Sequence, residues 1–273
     1  MNAIFVANKP IGVSSNRFLT RLKRKYGVKK AGFSGTLDPF ASGCLLVALG
    51  SYTRFFNYIN KTPKVYIATI WFGAQSESLD NENISEVKNV KELNLSDINR
   101  ILSDLTGEIA YTPPKFSAKH INGTRAYKLA REGVEFKLKE QIMRVYEAQI
   151  LSYMHPFLTV KLSVDEGSYI RSYAQILASK LGEVATLSAL HRQSEGGLKF
   201  ENEKFLNPLE ILNLPHNEYL GDIGDLMDGK KLSVADFKER ENKIYLISFD
   251  KFLSIIEIKD QTVTYRLNKA TLC

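Results

Sequence analysis

One aspartate stands out for its setting. Asp38 lies in Gly32-Phe-Ser-Gly-Thr-Leu-Asp-Pro-Phe-Ala-Ser-Gly43, a glycine-bounded stretch directly ahead of the apolar run Cys44-Leu-Leu-Val-Ala-Leu49. A carboxylate in a turn against a buried strand sits on rigid support yet stays open to a ligand. Pro39 keeps it out of a helix, because proline disfavours the α region for the residue before it. Asp, Pro and Gly are also standard turn residues, and spacing alone favours a plain turn. Other chemistries find less support. There is no Gly-x-x-x-x-Gly-Lys loop for phosphoryl transfer, and His120, His155, His191 and His216 are scattered without metal-ligand spacing. Cys44 and Cys273 make neither a disulfide framework nor a metal knuckle, which fits a reducing cytosol. The expectation is therefore no metal and no cofactor, in a cytoplasmic protein.

The elements that must hold Asp38 read as strands and helices in irregular order. Ile4-Phe-Val-Ala7 is a short strand stopped by Lys9-Pro10 and Gly12. Ser14-Ser15 offers an N-cap, and Phe18, Leu19, Leu22 and Tyr26 follow at helical spacing with basic residues on the other face. Tyr66 to Phe72 is a strand rich in β-branched and aromatic residues. An acidic insert at 77–108 ends in a helix through Ile98, Ile101, Leu102 and Leu105. Strands are expected at 145–152 and 157–164, a helix after Gly167, and mixed structure over 184–198. Two prolines and several Asn and Leu residues make 207–220 a linker to a small β-module with strands near 243–249, 253–258 and 263–267. Strands outnumber helices without regular alternation, so α+β is preferred to a doubly wound sheet.

Composition points to a polyanionic partner. The net charge is +7, and Arg21-Leu-Lys-Arg-Lys-Tyr-Gly-Val-Lys-Lys30 holds six cations and no carboxylate. A second basic stretch runs over 115–144, where Lys115, Lys119, Arg125, Lys128 and Arg131 alternate with Phe116, His120 and Tyr127. No apolar run approaches the roughly 20 residues needed to span a bilayer, and the N-terminus lacks a secretory pattern. A basic run can also be a plain solvated helix face. Charge alone leaves nucleic acid open without settling it.

The Asp38 segment resembles the catalytic-aspartate motif of the TruB family of tRNA pseudouridine synthases, whose pattern is G-H-x-G-x-L-D-P-x-A-x-G. Four other segments match in the same order. Lys9-Pro10-x-Gly12-x-Ser14-Ser15 resembles the N-terminal motif, and Lys64-Val-Tyr66 the strand of the active-site tyrosine. Pro113-Pro-Lys-Phe-Ser-Ala118, with Gly123 and Tyr127, resembles the start of an RNA-gripping thumb. Gly167-Ser-Tyr-Ile-Arg-Ser172 resembles the motif of the active-site arginine. Leu190-His191-Arg192 is a weaker match. Several ordered motifs are far more specific than any one alone.

The resemblance implies conversion of uridine-55 in the T-arm of tRNA to pseudouridine. It implies a catalytic domain at 1–215 with a mixed, largely antiparallel sheet, a thumb-like insert at about 113–144, and a short PUA-like module at 216–273. Asp38 would be the nucleophile, ionised at neutral pH because its unperturbed pKa is about 3.9, and acting on C6 of uracil or C1′ of ribose. Arg171 would pair with it, Tyr66 would stack on the uracil and take the C5 proton, and Leu190 would be an apolar wall. Lys9, Phe33, Lys115, Lys119, Arg125 and Tyr127 complete the expected substrate-binding set, with Lys9 more a brace for the loop than a contact. Phe33 stands where the family has histidine; it can stack but not hydrogen-bond. The expected form is a monomer without guide RNA. The competing readings are a non-catalytic RNA-binding protein or RNA chaperone, and a synthase for another RNA.

Overall fold

Strict alternation builds the central layer. Along Lys64–Phe72 every second side chain is buried, the period-two pattern of a pleated strand. The computed structural model describes residues 1–272; Cys273 lies outside them. In chain order it runs β1 (Ala3–Lys9), α1 (Ser15–Lys25), β2 (Ala31–Phe33), β3 (Ser42–Leu49) and β4 (Lys64–Phe72). A small hairpin follows, β5 (Ala74–Ser76) with β6 (Ile84–Val87), then α2 (Leu95–Asp104) and β7 (Gly107–Tyr111). The insert expected to be thumb-like holds β8 (His120–Ile121), β9 (Thr124–Arg125) and α3 (Ala126–Arg131). After it come β10 (Gln141–Met154), β11 (Phe157–Val164), α4 (Ile170–Lys180) and β12 (Ala185–Glu195). Three strands, β13 (Lys243–Ser248), β14 (Phe252–Lys259) and β15 (Thr262–Thr271), form a separate antiparallel sheet.

The main sheet has eight strands in the order β1-β3-β12-β4-β11-β10-β7, with β2 also on β3. All pairs are antiparallel except β12 with β3, which run parallel where His191 meets Ser42 and Arg192 meets Gly43. The expected α+β class with a mixed, largely antiparallel sheet therefore holds. α2 and α4 cover one side: Ile98, Ile101, Leu102, Tyr173 and Leu177 pack with Ala68, Ile70, Val160 and Leu162. Each large apolar side chain buried this way contributes roughly 1.5–3 kcal/mol. α1 packs Leu22 and its half-buried neighbours Phe18 and Leu19 on Phe5, Leu45 and Val47. Ser14 caps it, accepting from the Arg17 amide at 3.3 Å.

Several boundaries differ from the sequence reading. β12 occupies most of 184–198, which had read as mixed, and it sits between β3 and β4 inside the sheet. The basic stretch ends inside β10, whose Gln141 to Val145 pair with β7, so Arg144 belongs to the sheet and not to the thumb. Residues 207–220 are no free linker. Pro208–Ile211 is a helical turn capped by Asn207, and Leu212 is buried with Ile4, Leu46 and Phe55. The same cluster contains Leu246, Leu253, Ile255 and Leu267, so the C-terminal sheet shares a core with the main one. No helix among the described residues is long and apolar enough to cross a membrane.

Candidate active site

The loop that carries Asp38 is pinned from both sides. Leu37 and Phe40 are buried in the main core. The Ser15 hydroxyl accepts from the Leu37 amide at 2.9 Å and donates to its carbonyl at 2.8 Å, tying the loop to the start of α1. The Gly12 amide donates to the Pro39 carbonyl at 2.7 Å. Two glycines are sterically required. Gly35 has φ +60°, and a Cβ there would meet Lys64 Nζ at 2.6 Å. Gly43 has φ +107°, and its Cβ would lie 2.2 Å from the Arg192 carbonyl, where β3 and β12 approach. What remains free is the Asp38 side chain, 32% exposed.

Arg171 reaches that carboxylate from the first turn of α4. Its Nη2 lies 2.9 Å from Asp38 Oδ2, and its Nη1 lies 3.6 Å from Asp80 Oδ2. The same guanidinium donates to the Ser78 carbonyl at 2.6 Å and the Phe116 carbonyl at 2.9 Å. A cation in the first turn of a helix works against the helix dipole. Here two carboxylates and two carbonyls offset that cost, and the side chain is almost wholly buried. Asp80 is itself fixed, accepting from the Ser78 hydroxyl at 2.5 Å and the Glu82 amide at 3.0 Å. Burial raises the Asp38 pKa above its ordinary value; the Arg171 charge opposes this, while Asp80 adds to it. Asp38 is thus a carboxylate less readily ionised than a free one, aimed by one guanidinium.

Tyr66 and Leu190 line the same cleft of about 380 Å³ as Asp38 and Arg171, together with Tyr169 and Lys119. Its floor is a group of charges. Lys64, Arg192 and Glu195 are all buried. Glu195 Oε1 is 3.3 Å from Lys64 Nζ and accepts from the Ser34 hydroxyl at 2.8 Å, while Oε2 is 3.5 Å from Arg192 Nη2. Arg192 also donates to the Cys44 carbonyl at 2.7 Å and the Gly35 carbonyl at 2.8 Å, bolting the loop to the sheet. It is the direct cross-strand partner of Tyr66. Burial opposes the Arg192 charge, but the Tyr66 phenol and the Glu195 carboxylate facing it leave its pKa raised.

The expected site residues fall into three groups. Asp38, Tyr66, Arg171, Leu190 and Lys119 meet in the cleft just described. Phe33, Arg125 and Tyr127 line a second cleft of about 560 Å³, which Asp38, Asp80 and Arg171 also border. Lys115 is exposed and lines neither. Lys9 is fully buried and donates to the carbonyls of Pro10 and Val13 at 2.8 and 2.7 Å, which braces the loop, and it lines neither cleft. Burial lowers its pKa to about 8, against the pull of Asp38. The sequence reading missed Asp80, Glu195 and the buried pairing of Lys64. One signal was available: alternation along β4 puts Lys64 on the face of Tyr66.

Comparisons with known proteins bear on the whole chain. The N-terminal domain of the TruB family of pseudouridylate synthases matches residues 23–170. A tRNA pseudouridine synthase B of Campylobacter concisus is 64% identical, with 100% of both chains covered. One from Campylobacter jejuni is 52% identical over the same full coverage, and one from a Sulfurovum species is 51% identical, covering 98% of this chain and 97% of the relative. Among solved structures, a Cbf5-Nop10-Gar1 complex aligns with TM-score 0.69 at 18% identity, over 99% of this chain and 84% of the other. That last likeness is one of fold.

Proposed function

This chain belongs to the TruB family of pseudouridylate synthases, and on that premise we propose that it isomerises uridine-55 of tRNA to pseudouridine with Asp38 as nucleophile. The observation that carries the assignment of roles is the 2.9 Å pair of Asp38 with Arg171 at a cleft also lined by Tyr66. A carboxylate fixed by a guanidinium fork is aimed without being locked in packing. It forms a covalent bond to the nucleoside, the C1′–N1 bond breaks, the uracil turns, C1′ rejoins it at C5, and the bond to Asp38 breaks again to release the carboxylate. Tyr66 stacks on the ring and takes the C5 proton, with Arg192 facing its phenol. Leu190 closes the apolar wall.

The uridine must leave its RNA to arrive there, at a cost of a few kcal/mol. Cations of the thumb offset this through phosphate contacts, and Phe33, Phe116 and Tyr127 offer stacking faces beside Asp38. The substrate element is the T-arm, and the protein acts on it as a cytoplasmic monomer without guide RNA. Residues 1–215 are the catalytic part, and β13–β15 form the core of a short PUA-like module. Asp38→Asn keeps shape but removes the nucleophile. Binding of the tRNA is expected to stay within about threefold while product falls by at least roughly a thousandfold. Turnover by the purified variant at the wild-type rate on a T-arm stem-loop would end the assignment.

A further inference from the structure

The cleft at Asp38 does not stop at the thumb. Its second arm is lined by Ser14, Ser15 and Asn16 at the start of α1 as well as by Arg125 and Arg131 of the thumb. Asn16 also borders a third cleft, and the rest of that lining is Arg17, Thr20, Arg21 and Arg24. Asn16 borders both, so this surface of α1 adjoins the cleft at Asp38.

That face has a distinct charge. α1 holds five basic residues and no acidic one. Arg17, Arg21 and Arg24 stand at i, i+4 and i+7, all exposed, spread over about 10 Å of helix axis. Among the described residues none of the three has a carboxylate within 4 Å, whereas Lys25 on the flank of the same helix pairs with Glu203 at 2.6 Å. Local helix energetics do not account for them. The dipole favours cations only in the last turn, so it explains Arg24 but disfavours Arg17. Like charges three and four residues apart repel. Three guanidiniums kept on one face at some cost to the helix match an extended anion outside the protein.

We propose that the exposed face of α1, with Arg17, Arg21 and Arg24, binds the ribose-phosphate backbone of the RNA strand flanking the nucleotide held at Asp38. Cations then flank the Asp38 cleft on two sides, Arg125 and Arg131 on one and those of α1 on the other. The inference rests on tRNA being the substrate. Ser15 ties α1 to the Asp38 loop through Leu37, so a strand seated on α1 is also placed in register with the nucleophile.

The test is the triple variant Arg17→Gln, Arg21→Gln, Arg24→Gln, read by tRNA affinity across a salt series. The slope of log K against log salt is expected to fall by about 2–3, with affinity roughly tenfold weaker at moderate salt. The catalytic loss is expected in KM more than in kcat. All three positions are exposed, so the thermal midpoint reports whether folding is intact. Lys25→Gln is the control on the same helix, with a slope expected to equal wild type. A triple variant with wild-type slope and affinity would overturn the proposal while leaving the enzyme assignment standing. The assignment is read separately, by whether the wild-type protein modifies tRNA and Asp38→Asn does not.

Discussion

The floor and the rims of the Asp38 cleft treat positive charge in opposite ways. On the floor, Arg171, Arg192 and Lys64 are buried, and each has at least one carboxylate within 4 Å. On the rims, Arg17, Arg21, Arg24, Lys115, Lys119, Arg125, Lys128 and Arg131 have none among the described residues, though Arg131 lies over the Tyr127 ring at 5.7 Å. The difference follows from solvation. A buried cation without a counter-charge costs several kcal/mol, and for these three the chain supplies the partner itself. A solvated cation needs none, and a contiguous group left unpaired is free to meet an external polyanion. Saturated charge holds this site in shape; unsaturated charge is what its substrate can use.

The sharpest way to break that contrast lies on the floor. Glu195→Gln keeps the volume and the acceptor for Ser34 but leaves Lys64 and Arg192 buried with their shared charge gone. Removing one member of a buried ionic group costs about 3–5 kcal/mol. For a chain of this size the thermal midpoint is expected to drop by roughly 6–12 °C. Glu166, 3.8 Å from Lys64, is the only other carboxylate within 4 Å of that lysine among the described residues, and it is far more exposed. A midpoint within about 2 °C of wild type would mean that the floor is solvated after all, and the contrast would collapse.

The same contrast explains what could be read without coordinates. Asp38, Tyr66 and Arg171 were legible because each lies in a short local motif. Asp80 and Glu195 were not, since their roles exist only where distant segments meet: Asp80 at Arg171, Glu195 at Lys64 and Arg192. β12 was unreadable for a related reason. Its buried residues include Thr186, Arg192, Ser194 and Glu195, and bulges after Leu187 and Arg192 break the two-residue period. The linker reading failed at 207–220 because Pro208 starts a helical turn there and Leu212 faces the shared core. The β-module was plain because β13, β14 and β15 as far as Leu267 each keep a strand-forming run, and only the end of β15, past Lys269 at φ +50°, was missed.

A rim substitution should leave stability alone and move binding. In the variant Lys115→Gln, Lys119→Gln, Arg125→Gln, tRNA affinity is expected to fall roughly tenfold at moderate salt, with a slope reduced by about 2–3. The thermal midpoint should stay within about 1 °C, because these side chains are not core. Lys119 and Arg125 border the clefts while Lys115 does not, so single variants should rank Lys115 last. A drop in melting temperature with an unchanged salt slope would move this segment from rim to scaffold.

The smallest effect is expected where surface charge is already neutralised. Residues 216–273 hold nine cations against ten carboxylates, one net negative charge, whereas residues 1–215 are eight net positive. Lys238 lies 3.3 Å from Glu218, and Lys243 lies 2.5 Å from Glu241. Both pairs are exposed, and such pairs contribute little to folding. Their cations are screened by near neighbours before any phosphate arrives. Lys238→Gln with Lys243→Gln should therefore change tRNA affinity by less than about twofold and the salt slope by less than about 0.5. A slope loss as large as that of the thumb variant would show that pairing on the surface does not withdraw a cation from RNA, and the rims would then owe their role to position alone.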